Sequence, residues 1–338
     1  MGSEMCIRDR DTGYTIRAEE LQYIRRSQIA EAYYDVKFTN IDSTITAYGE
    51  KGFYDGAREF VSLTKGPHLT RIDSMGNRLE LDAIKLNHYI GHDYSVAVGS
   101  VEVALYPEDT MSSPLLLLCD SLEFYQDSDF VAAFGNVNII QDSIYASAPI
   151  AYMWRKSGRI ILIEGAEVKE PNWTLWADTM NAIIIDNKIA SVEAIANPRG
   201  LWHDPADTLE LTEDSRLSAD RMLFDFDNGK ITTAHLVQRA TVDYFPAPSD
   251  TQFMERHLIS GDSLVAFLDS AKIDSIEVYG GVQGVSYKTS DMKRDSISYS
   301  GELMALSQQK RVHIYKDGYV QYGSMRLWAG QVHFDGDT

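Results

Sequence analysis

Five aspartates recur in one local setting: Asp82, Asp120, Asp178, Asp220 and Asp262. Acids in such number suggest acid–base catalysis or cation binding. A glycosidase needs one convergent carboxyl pair at a set separation, whereas these acids return once per repeat. A stacked acid ladder would offer oxygen ligands to Ca²⁺, but no Gly-Gly-x-Gly-x-Asp repeat accompanies them. The pattern assigns the five to structural corners. His88 and His92 have H-x3-H spacing, which on a helix would bring two imidazoles together. Tyr89-Ile90-Gly91 between them reads as a strand end and a turn, so no metal site is expected. His203-Asp204 lies in a loop, and no serine elbow accompanies it to complete a triad. Gly280-Gly281-x-x-Gly284 sits inside a strand pattern rather than before a helix, so it is no phosphate cradle. Cys119 is the one informative cysteine, which leaves neither an intrachain disulfide nor a zinc cluster. No catalytic residue and no cofactor are expected.

The charge narrows the partners. The chain of 338 residues carries 31 Lys and Arg against 50 Asp and Glu, a formal net charge of −19. Nucleic-acid binding draws most of its affinity from neutralising phosphates with Lys and Arg, and an acidic chain gains nothing from an anionic membrane surface. The basic residues Arg17, Arg25 and Arg26 read as a solvated face. No apolar run approaches the roughly 20 residues of a membrane-spanning helix; runs such as Leu115–Leu118 and Ile160–Ile163 are strand-sized. Met5-Cys6-Ile7-Arg8-Asp9 resembles a translated sequencing adapter. Residues 1–10 are therefore expected to be an artefact, and the chain an internal fragment in which a missing signal peptide carries no information.

The elements that must position these residues are strands. Only Ala18–Ala32 could pass as a helix on propensity. Elsewhere short alternating runs rich in Val, Ile, Leu and Tyr are bounded by Gly, Asp, Asn and Ser. A repeat emerges when they are stacked. Its first half is apolar-x-small-Asp-x-apolar-x-apolar, as in Leu117-Leu-Cys119-Asp120-Ser-Leu122-Glu-Phe124 and Leu217-Ser-Ala219-Asp220-Arg-Met222-Leu-Phe224. Ile16–Tyr23 fits with Glu19 in place of Asp, and looser copies start near Ile45, Ile144, Ser298 and Arg326. The second half often ends Gly-x-Val, as in Phe134-Gly135-Asn136-Val137. In the five Asp copies apolar positions are odd before the small residue and even after the Asp, and the Ile16 copy slips by the same one residue. A regular strand cannot change phase without turning its apolar set outward, so a bulge or sharp bend is expected at each small-Asp step. Such corners let one strand serve two sheets.

In its Ala-Asp-x-apolar layers and Gly-x-Val strands the chain resembles the OstA-like family, from Ile16 to Phe334. Members of that family include the periplasmic lipopolysaccharide bridge protein and the N-terminal domain of the outer-membrane translocon. The resemblance implies an all-β, elongated, twisted β-jellyroll, a solenoid-like stack of strand pairs in two sheets. It places one jellyroll at 11–200 and a second segment at 215–338. It implies a periplasmic, non-enzymatic protein, associated with the outer membrane in some members, that stacks end to end on homologous jellyrolls or on itself. Lipid A acyl chains of lipopolysaccharide would slide along the apolar interior, touching Leu122, Phe124, Met180, Met222, Phe224, Leu264 and Phe267. The loops at Pro198–Ser215 and Pro246–His257 and the strong acidity depart from the family pattern. Two rivals give repeated short strands as well: a carbohydrate-active right-handed β-helix, which predicts coils without phase slips, and a structural surface repeat, which needs no open apolar interior.

Overall fold

The computed structural model describes residues 3–8, 13–40, 43–73, 76–109, 113–125, 128–185, 188–203, 213–246, 254–269, 272–290, 293–307 and 311–335. It divides into two compact units, Met1–Gly158 and Arg159–Thr338. The first holds β1 (Ser3–Arg8), β2 (Gly13–Ala18), β3 (Glu20–Ile24), β4 (Ile29–Asn40), β5 (Ile45–Asp55), β6 (Phe60–Thr64), β7 (His68–Ile72), β8 (Arg78–Asp82), β9 (Lys85–Tyr89), β10 (Tyr94–Tyr106), β11 (Leu115–Tyr125), β12 (Phe130–Gln141) and β13 (Ile144–Trp154). The second holds β14 (Arg159–Glu170), β15 (Trp173–Ile185), β16 (Lys188–Ile195), β17 (Arg199–Trp202), β18 (Ser215–Ser218), β19 (Arg221–Asp227), β20 (Lys230–Tyr244), β21 (Met254–Asp269), β22 (Lys272–Ser290), β23 (Lys293–Ser307), β24 (Arg311–Tyr322) and β25 (Met325–Asp335). Each described ladder is antiparallel, with consecutive strands pairing as hairpins (for example β10–β11 and β21–β22). The fold is an all-β jellyroll. Among the described residues the only helical pieces are the 3-10 turns Ile90–His92 and Arg155–Ser157, and no helix is long and apolar enough to cross a membrane.

The expected phase slip has a concrete geometry. In β11 Leu117 and Cys119 are buried, then Leu122; in β15 Leu175 and Ala177, then Met180. The steps at Asp120, Asp178 and Asp262 each face two consecutive left-handed residues on the neighbouring strand, whereas Asp82 stays in register with Glu102 and His68 and the irregularity follows it. Val98 pairs with Ser121 and Val101 with Cys119, so Asp120 alone opposes Gly99 and Ser100. The same two-against-one bulge sets Asp178 against Glu164-Gly165 and Asp262 against Gln238-Arg239. Ala148-Pro149 takes the place of small-Asp in β13, opposite Gly135-Asn136, which gives the interval from Cys119 to Ala177 its two equal repeats. The bulge bends each long strand into two limbs and turns both apolar sets inward.

The Gly of Gly-x-Val belongs to these left-handed pairs. Gly135 has φ +73° and a Cβ there would stand 2.3 Å from Asp120 Oδ2; Gly280, φ +70°, meets Asp262 Oδ2 in the same way. Elsewhere larger residues adopt the conformation, as at Tyr34-Asp35, Gln238-Arg239 and Lys316-Asp317. Such residues cost roughly 1–3 kcal/mol each and persist only when their surroundings hold them. The backbone N–H groups of Glu19, Asp178 and Asp220 each donate to the carbonyl of the first left-handed residue opposite, at 3.0 Å. The carboxylates accept from the side chain of the second left-handed residue: Asn136 Nδ2 to Asp120 at 2.9 Å, Asn197 Nδ2 to Asp178 at 3.1 Å, Arg239 Nε to Asp220 at 2.8 Å. The acid's own N–H makes the backbone bond, which leaves its carboxylate facing the neighbour's side chain. Asp82 differs, meeting His68 Nδ1 at 2.9 Å.

Ala18–Ala32 forms a hairpin rather than a helix: Leu21 pairs with Ala32 and Tyr23 with Ala30, and Gln28 takes φ 57° in the turn. Ser3–Arg8 pairs with β2. The Pro198–Ser215 loop, where the sequence reading parts its two segments, falls inside the second unit; it holds β17 and the first residue of β18, and its residues 204–212 lie outside the described set.

Candidate functional site

In the first unit the two limbs enclose an apolar cavity of ≈ 690 Å³. One wall comes from the limb containing β7, β8, the second half of β10 and the first half of β11, through Leu69, Leu81 and Leu117. The other comes from β6, β9 and the second half of β11, through Leu63, Leu86 and Leu122. Large aliphatic side chains line the hollow and keep a little exposure toward it: Leu63, Leu117, Leu122, Leu86 and Leu81 are 2, 3, 6, 6 and 7% exposed. The outer end of the second limb is braced by a cross-strand row of rings, Phe60, Tyr89, Tyr94, Tyr125, Phe130 and Trp154, with successive centroids 4.6–5.8 Å apart. Such pairs each add about 0.2–1 kcal/mol.

Polar groups sit where the limbs end. The Tyr14 hydroxyl lies 3.4 Å from His88 Nε2, and Ser95 Oγ lies 3.0 Å from His88 Nδ1. Burial holds the His88 imidazole below its ordinary pKa, partly opposed by the charge of Asp93. Arg71 extends from β7 and lays its guanidinium 5.4 Å from the centre of the Phe124 ring, on the opposite limb. Burial first, then the nearby Arg155, pull the Arg71 pKa down. Arg155, just after β13, reaches Asp129 at 3.5 Å and Asp73, after β7, at 3.8 Å. The rim is therefore bridged from limb to limb by Tyr14–His88, Arg71–Phe124 and Arg155–Asp73.

The residues read from sequence as inward lipid contacts fall into separate places. Leu122 and Phe124 line the cavity of the first unit. Phe224 lines a far smaller one, ≈ 50 Å³, in the second unit. Met180, Met222 and Leu264 are 1, 0 and 0% exposed and line neither cavity; they fill packed core. Phe267 corrects the inward expectation. It is 39% exposed, because the inward phase of this limb runs through Leu264, Ala266 and Leu268, with the last two lining the small cavity. A register irregularity between Phe267 and Leu268 lies at this point, so an apolar residue type alone was a poor guide to its face.

Cys119 is buried, and burial, then Asp120, push its thiol up to about 11; it stays protonated and unreactive. His88 and His92 both line the large cavity, yet among the described residues no three His, Cys, Asp or Glu gather to hold a metal. His203 Nδ1 meets Asp214 at 3.1 Å, a loop contact; Asp204 lies outside the described residues. Sequence reasoning missed the charged rim. The available signal was Arg71 two residues beyond Leu69, a cation in the apolar phase of a strand. Arg155 left none.

No family model matches the chain, and no curated protein matches it. Among solved structures, LptH, the LptA-homologous periplasmic component of the lipopolysaccharide transport device of Pseudomonas aeruginosa, aligns over 38% of this chain and 94% of its own, with 9% sequence identity and a TM-score of 0.34.

Proposed function

We propose that this chain is a non-enzymatic carrier of lipopolysaccharide in the periplasm, taking lipid A acyl chains into its apolar interior and joining other jellyroll modules end to end. The observation that carries the reading is the ≈ 690 Å³ apolar cavity between the limbs of the first unit. Its volume lies within the range of about 300–1,000 Å³ of sites that engulf a small ligand. Acyl chains suit it because each methylene taken from water contributes about 0.8 kcal/mol. Leu122 and Phe124 are the contacts proposed from the sequence that line it. The carbohydrate-active β-helix reading loses support, since its coils require parallel strands and the described ladders are antiparallel. The acids are spread over separate bulges rather than converging in a pair.

A photo-crosslinking residue at Leu122 or Phe124, expressed in a lipopolysaccharide-producing envelope, should form a lipopolysaccharide adduct. The same group at the outward-facing Phe267 should form far less. Equal labelling at all three positions, or none at the first two, would overturn the reading.

A further inference from the structure

Among the described residues the cavity wall holds one cation, Arg71, that no carboxylate meets in an ion pair. Arg155 is engaged by Asp73 and Asp129, and Asp93 acts on His88. Arg71 lines the same cavity. Among the described residues no carboxylate pairs with it, and its contact is the face of the Phe124 ring. Stacking of this kind occupies the flat of a guanidinium and leaves the N–H donors along its edge free. A half-buried fork of donors in an apolar wall fits a phosphate, which it can meet with two parallel charge-assisted hydrogen bonds. The reduced dielectric there strengthens the attraction. The carboxylates of Asp73, Asp93 and Asp129 stand close enough to support the positive charge of Arg71.

Resting on the carrier reading above, we propose that Arg71 reads the headgroup: it binds the phosphate of a phosphorylated acyl lipid whose chain lies against Leu69, Leu81 and Leu122. Phe124 has a double part, contacting the chain and holding the guanidinium in place. The chain as a whole is strongly acidic, so this recognition depends on one local cation rather than on the general field.

Calorimetric titration of the full chain with two amphiphiles of equal chain length separates the terms. Lauroyl lysophosphatidic acid carries the phosphate; monolauroylglycerol lacks it. The phosphorylated lipid should bind about tenfold more tightly, roughly 1.4 kcal/mol. Arg71→Gln should remove that advantage and leave monolauroylglycerol unchanged, while Arg71→Lys should restore part of it. Circular dichroism confirms that the variants fold, and the unchanged monolauroylglycerol arm reports an intact cavity. Equal affinity of the native chain for both amphiphiles, or equal loss of both in a folded Arg71→Gln, overturns the headgroup role and leaves the cavity reading standing. Inorganic phosphate binding as tightly as the phosphorylated lipid makes Arg71 a free-anion site and overturns the lipid assignment. Binding of neither amphiphile defeats the cavity reading itself.

Discussion

The two units use one device to different ends. Both bend their long strands at bulges that set one residue against two left-handed ones, and both turn the two limbs' apolar residues inward. The first unit keeps ≈ 690 Å³ open between its limbs, while a cavity among the described residues of the second measures ≈ 50 Å³. The difference shows in how completely the inward side chains are covered. The eight largest fully buried side chains among the described residues are Met180, Met222, Leu236, Ile259, Leu264, Ile276, Met304 and Ile314, all in the second unit. Interiors are close-packed wherever side chains can meet. A repeat can thus be kept while its contents change, and hollowness has to be judged layer by layer.

The largest expected effect tests whether the second unit is a closed core. Met222→Ala should cost roughly 2–5 kcal/mol, because the surrounding side chains cannot collapse into the space; chemical denaturation of the full chain measures it. Leu122→Ala, on the wall of an existing hollow, should fall near the low end of that range and reduce the lipopolysaccharide adduct. Equal costs at the two sites would break the comparison.

Insertion of volume gives the converse. Ala194→Leu, at a fully buried position in the second unit, should overpack and destabilise by about 1–3 kcal/mol. Ala47→Leu, facing the large cavity, should leave the melting temperature within a few degrees of native and weaken amphiphile binding. A penalty at Ala47 as large as at Ala194 would mean that the first unit has no room.

The smallest effect sharpens the account of the rim. His88 is held below its ordinary pKa by burial. Its neutral form is the one the fold favours, so the stability it supports is complete above the ordinary histidine pKa. That stability declines as pH falls from there through the lowered value. Thermal melts between pH 7.5 and pH 5 should show a steeper acid-side loss for the native chain than for His88→Gln. Parallel profiles would mean that His88 contributes nothing to the pH dependence.

Much of this was legible in the residues. The recurring step from Leu117 and Cys119 to Leu122 shows that strands bend, since a period-two pattern that changes phase has no other way to keep its apolar side in. Gly135 and Gly280 were visible because a Cβ there collides with the acid opposite. The left-handed pairs at Gln238-Arg239 and Lys316-Asp317 were not, because ordinary residues occupy them and only the partner strand holds them there. Phe267 was misplaced because an apolar side chain near a strand end carries no mark of its face. The rim was missed because Arg71 and Phe124 are distant in sequence and meet only across the limbs.

Alternation and the phase slip therefore determined by themselves an all-β chain with inward-facing limbs and a corner at the recurring small-acid step. These are local properties, written in neighbouring residues. Tertiary structure alone decided which interior is hollow and which is filled, and which cation was left facing it. Cavity volume is the small difference between the space the limbs enclose and the summed size of side chains from many strands, and no single stretch of sequence contains that difference.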